Sequence, residues 1–103
     1  MNPQSGKLSR CQEIELPSQP WQICVAPTHQ YLYQSIRGDG YSGVVTFKRD
    51  LPGGHLTQIG EIELDADACY ITTDKTGRFL LCAYLIPGMV TVHSIGDDGT
   101  VKP

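Results

Sequence analysis

Four residues carry side chains suited to chemistry at positions where a ligand could meet them: Arg37, Asp65, Asp67 and Tyr84. A guanidinium binds phosphate or carboxylate bidentately, and it steadies an oxyanion that develops during acyl transfer. Arg37 has two readings: such a cation, or a structural ion pair with Asp39 or a neighbouring loop. The Tyr84 hydroxyl suits a hydrogen bond to a substrate oxygen, while its ring equally suits packing and capping a loop. Tyr41 is a weaker candidate of the same kind. Asp65 and Asp67 stand together in "DADA". A carboxylate there is a general base toward water if burial raises its pKa, and otherwise a solvated turn acid. None of these residues is assigned as the catalytic base. His29 and His55 fall in turns and His93 within a strand-like stretch, and no Ser–His–Asp arrangement is legible.

Other chemistries are poorly supported. Cys11, Cys24, Cys69 and Cys82 form no CxxC, and no His lies at ligand spacing from a Cys pair. Neither a metal nor another cofactor is therefore expected, and the cysteines read as buried, reduced thiols. The net charge is -3 and the basic residues are scattered, which argues against a nucleic-acid partner. No apolar stretch approaches the length of a membrane span. Residues 1–10, "MNPQSGKLSR", hold no apolar run of the secretory kind, so a cytoplasmic location is expected.

The segments that must position these residues repeat. Shifted by 48 positions, "GKLSRCQEIEL" falls on "GHLTQIGEIEL" with 6 of 11 residues identical. Ile23, Thr28 and Leu32 then fall on Ile71, Thr76 and Leu80. After a short gap, "GVVTF" falls on "GMVTV". A period of about 40–50 residues marks a propeller or solenoid array. Within each period "WQICVA", "YLYQSI", "VVTF", "CYITT", "FLLCAY" and "MVTVHSI" are rich in β-formers. Turn chemistry separates them, in "APTHQ", "RGDGYSG", "DLPGG", "DKTG", "IPG" and "GDDG". No stretch sustains the 3.6-residue apolar period of a helix.

The expected fold is all-β, made of β-propeller blades of four antiparallel strands. Blade one spans 17–64, with strands at 21–26, 31–37, 43–48 and 56–64. Blade two spans 65–103 and is incomplete, with strands at 69–73, 79–85 and 89–95 and a fourth beginning at Thr100. Residues 1–16 carry the outer strand of a preceding blade. Two blades leave an apolar face bare at each end, so about two blades of a larger propeller are expected, completed by remaining blades or by self-association.

With that repeat in view, the chain resembles the lactonase-type seven-bladed propellers, which include 6-phosphogluconolactonases and carboxy-cis,cis-muconate cyclases. The resemblance rests on "HQYLY", an Arg ending the second strand, "GVVTFKRD" and "GGHLTQIGEIEL", and it covers residues 6–103 as the N-terminal blades. Two places depart from the family pattern. Residues 28–30 are Thr-His-Gln where Asp-Gly-Arg is usual, and "YLIPGM" replaces a more polar turn. The resemblance implies water attack on a sugar lactone, with a small-molecule lactone or sugar phosphate as partner. Alternatives are a carboxymuconate cyclase and a non-catalytic binding platform. It also implies that the loops "PSQP", "RGDGYS", "DADA" and "LIPG" open at the ligand end, with Arg37, Tyr84, Asp65 and Asp67 as substrate-binding residues. The catalytic base is expected on other blades, leaving these 103 residues inactive alone.

Overall fold

In the computed structural model, residues 12–50 and 54–103 are described. Their strands are β1 (Gln19–Val25), β2 (Tyr31–Gly38), β3 (Tyr41–Asp50), β4 (His55–Glu63), β5 (Ala68–Thr73), β6 (Phe79–Tyr84) and β7 (Met89–Ser94). Two antiparallel sheets result, β1-β2-β3-β4 and β5-β6-β7, so strands adjacent in sequence are adjacent in each sheet. The described residues contain no helix. Each strand begins and ends within two residues of the bounds expected from sequence.

The expected fourth strand of the second sheet is reduced to a bridge between Ile95 and Val101. Beside it the Lys102 N–H donates to the Ser94 carbonyl at 2.8 Å. The expected outer strand at the N-terminus lies partly outside the described residues, as do Cys11 and part of the "DLPGG" turn. Residues 12–16 have no strand assignment. Gln12 brackets Leu56 there, donating from Nε2 to its carbonyl at 2.9 Å and accepting its N–H at 2.8 Å.

Side chains alternate across a strand, so β2 and β3 feed two cores. One face sends Tyr33 and Val44 toward the second sheet, where they meet Ile71, Leu80, Cys82 and Tyr84. The other sends Ile36, Val45 and Phe47 outward, where Ile14 and Leu16 pack over them. The first of these cores is the seam between sheets. The Tyr33 hydroxyl donates to the Gly99 carbonyl at 2.9 Å inside it, and burial pushes the phenol up to about 12. Gly99 has φ +85, and a Cβ there would overlap the Tyr31 ring. Only glycine meets both demands.

Turn residues fix the strand pairings. Gly38 and Tyr41 are paired across β2 and β3, leaving Asp39 and Gly40 as a two-residue turn with φ 52 and 79. Positive φ at both central positions is the type I′ hairpin, whose twist matches the flanking strands and which favours Asp-Gly. At "DKTGR", Asp74 accepts the Thr76 hydroxyl at 2.6 Å and the N–H groups of Arg78 and Phe79 at 3.1 and 3.2 Å. Asp98 accepts the Thr100 hydroxyl at 2.7 Å and its N–H at 3.0 Å.

One expectation is corrected. Cys82 is buried, but Cys24 is half-buried and Cys69 is exposed. The pairing of β5 with β6 slips between Ala68 and Tyr70, so Cys69 is an extra residue outside the regular alternation.

Two stability measurements check this seam and these turns. Tyr33→Phe strands the buried Gly99 carbonyl and is expected to lower unfolding stability by about 1–2 kcal/mol in urea titration. Hydrogen bonding from Thr76, chiefly its hydroxyl, holds the Asp74 carboxyl below its ordinary 3.8, and Thr100 does the same for Asp98. A folded-state pKa below the unfolded one gives stability that is complete above the unfolded value and lost as pH falls through the folded value. The melting temperature is therefore expected to drop on acidification below about pH 4, and less steeply in an Asp74→Asn, Asp98→Asn double variant.

Candidate functional site

Four loops converge at one end of the two sheets. They surround an open cavity of about 500 Å³ lined by Gln19, by residues 37–42, by Ala66 and Asp67, and by Ile86. These come from "PSQP", "RGDGYS", "DADA" and "LIPG", the loops expected at the ligand end. At the opposite end, Thr28, Thr76, Gly77 and Asp97 line a separate cavity. The "DKTGR" turn belongs there, where Asp74 stabilises a corner.

Arg37 lines the first cavity. Its position follows from the ladder, in which it is paired with Gln19 on β1 and with Ser42 on β3, one step from the Asp39–Gly40 turn. Its Nη1 lies 3.7 Å from Oδ2 of Asp67. The other carboxylate oxygen of Asp67 accepts the Ser42 hydroxyl. The ion-pair partner is thus Asp67 on the neighbouring loop and not Asp39. Arg37 Cζ also sits 3.6 Å above the centroid of the Trp21 ring. The guanidinium is therefore held between an indole face and a carboxylate, with both ion-pair members substantially exposed at 37% and 51%.

The structure divides the four residues singled out by sequence. Arg37 and Asp67 meet. Tyr84 is buried in the seam, and its hydroxyl exchanges a hydrogen bond with Thr91 Oγ1 at 2.8 Å. Thr91 in turn bonds His93 Nε2 at 2.9 Å. Burial first, with Asp65 nearby among the lesser causes, raises the Tyr84 pKa. Tyr84 thus packs in the seam with its hydroxyl on a β7 side chain, and Asp65 is exposed and does not line the cavity. Tyr41 lines the cavity wall, but its hydroxyl donates to Glu61 Oε2 at 2.6 Å, and this bond to the carboxylate above all pushes the phenol up to about 12. Sequence reasoning missed Trp21 and Ser42. The adjacency of "RGDGYS" to Arg37 carried a signal for Ser42, because a short hairpin brings both ends together. Trp21 gave none beyond its β propensity.

The chain matches the family model described as lactonase, 7-bladed beta-propeller, over residues 1–103. The chain belongs to this family. Among curated relatives, a 6-phosphogluconolactonase of Pectobacterium carotovorum is 33% identical over 96 residues, which is 93% of this chain and 28% of that protein. One from Klebsiella pneumoniae is 33% identical over 92 residues, 89% of this chain and 27% of that protein. The chain therefore spans little more than a quarter of the length of these relatives. Among solved structures, a candidate 6-phosphogluconolactonase from Bacteroides fragilis aligns with a TM-score of 0.74 and 25% identity, over 81% of this chain and 23% of that one. A Lactobacillus plantarum protein shares the fold with a TM-score of 0.78 at 15% identity, over 98% of this chain and 29% of that one.

Exposed ion pairs contribute little to folding. Arg37→Ala and Asp67→Ala are each expected to change unfolding stability by no more than about 0.5 kcal/mol, measured by thermal or urea denaturation.

Proposed function

We propose that these residues form part of the substrate-binding end of a lactone hydrolase acting on a sugar lactone, with 6-phosphogluconolactone as the substrate suggested by the relatives. The observation that carries this reading is the exposed guanidinium of Arg37, set by a hairpin into a cavity that four loops share. A planar cation there takes either the phosphate of the substrate or the oxyanion that forms when water attacks the lactone carbonyl. Ring opening adds water across the acyl C–O bond, leaving a carboxylate and a free hydroxyl. Asp67 is the carboxylate paired with Arg37 in this cavity, and its contact with Ser42 orients it. The base that activates water belongs to blades beyond these 103 residues.

A binding platform without catalysis is the second reading. It is favoured by Leu85 and Ile86, which stand 77% and 82% exposed at the rim where polar groups would serve hydrolysis better.

The test combines binding with turnover. The 103-residue chain is expected to bind 6-phosphogluconate, to lose that binding in Arg37→Ala, and to leave the lactone at its buffer hydrolysis rate. Hydrolysis by this chain alone would contradict the placement of the base. Binding unaffected by Arg37→Ala would contradict the site.

A further inference from the structure

A register irregularity in β1 has a built-in cause and a directed result. Pro20 is paired with Ile36, and Ile23 with Gln34, so Trp21 and Gln22 together oppose Ser35. Such a bulge leaves backbone groups off the ladder and turns a side chain out of the regular alternation. Here side chains of β2 take the ladder's place. Ser35 Oγ accepts the Gln22 N–H at 2.8 Å, and Gln34 Nε2 donates to the Gln22 carbonyl at 2.9 Å. Ser35 and Gln34 are two buried polar residues of this sheet, and the bulge accounts for both. What the bulge aims is Trp21, whose ring lies against the Arg37 guanidinium and lines a second hollow with Asp67, Cys69 and Ile86. The repeat places Cys69 at the position of Trp21, and β5 carries its own irregularity there. Each blade thus turns this position into the same hollow, and only blade one fills it with an aromatic face.

We propose that Trp21 is a positioning residue for anion binding: its ring fixes the plane of the Arg37 guanidinium, so that the N–H edge now shared with Asp67 is presented to a phosphate monoester, which displaces the Asp67 carboxylate. This rests on the anion-binding role of Arg37 given under Proposed function. A guanidinium stacked flat on an aromatic face keeps its in-plane donors free, which suits bidentate contact with a tetrahedral anion. Asp67 keeps the cation neutralised while the site is empty. Its Ser42 contact involves the oxygen that does not face Arg37, so the carboxylate stays anchored when the anion arrives.

The probe is 6-phosphogluconate, with gluconate as the unphosphorylated control, titrated by calorimetry into the 103-residue chain and its variants. Trp21 is the sole tryptophan, so its fluorescence reports the same event in the parent chain. Trp21→Leu is expected to weaken binding about fivefold, while Trp21→Phe, which keeps a ring face, stays within about twofold. Asp67→Asn is expected to tighten binding about threefold by removing the competing charge, which a merely structural role would not do. Trp21→Leu binding as tightly as the parent, Asp67→Asn binding more weakly, or gluconate binding as tightly as 6-phosphogluconate would each overturn the proposal. Failure of the parent chain to bind at all would overturn both this proposal and the reading beneath it. Binding that Arg37→Leu abolishes and Trp21→Leu leaves intact would overturn this proposal alone.

Discussion

The seam between the two sheets is the constraint on which the rest depends. Each sheet has an apolar face that water would destabilise, and burying one against the other is the main driving force available where the described residues hold no helix. The seam also sets alignment, because the Tyr33 hydroxyl must reach the Gly99 carbonyl in a dry environment. Once that contact is made, the link after β4 and the β2–β3 hairpin fall at the same end. Asp67, on the loop that leads into the second sheet, then reaches Arg37 and Ser42. The candidate site is thus a product of sheet packing, and neither sheet alone contains it.

A second theme is the use of irregularity. β1 and β5 each lose register near their start, and in both cases the displaced residue faces the hollow beside Arg37. In β1 the cost is offset by Ser35 and Gln34, which supply hydrogen bonds that the ladder cannot. These two buried polar side chains would look like defects in the core if β1 were regular. The bulge makes them part of the support for Trp21.

Much of the fold was legible because it is written twice. The match of "GKLSRCQEIEL" with "GHLTQIGEIEL" and of "GVVTF" with "GMVTV" set the period, and turn residues divided each period into strands. Loop ends followed from that order, so Arg37 and Asp67 could be placed on the same side. Their partners were less accessible. The Arg37–Asp67 contact joins β2 to the loop before β5, and sequence spacing gives no distance between them. Trp21 depends on a slipped register, which composition does not reveal, so it read as an ordinary β-former. Tyr84 had two readings for a related reason: sequence places it at a strand end, and only the packed seam shows its hydroxyl turned inward to Thr91. Cys69 came out exposed because the bulge in β5 sets it outside the regular alternation, which its apolar neighbours in sequence do not reveal.

The central claim is that the Arg37 end of the sheets, and not the opposite end, receives an anionic sugar derivative. Amide and side-chain NMR shifts of the 103-residue chain during titration with 6-phosphogluconate test this most directly. The expected result is a cluster of perturbations at Trp21, Arg37, Ser42 and Asp67, with Thr28, Gly77 and Asp97 unmoved. Perturbations centred on the latter group, or none near Arg37, would contradict it.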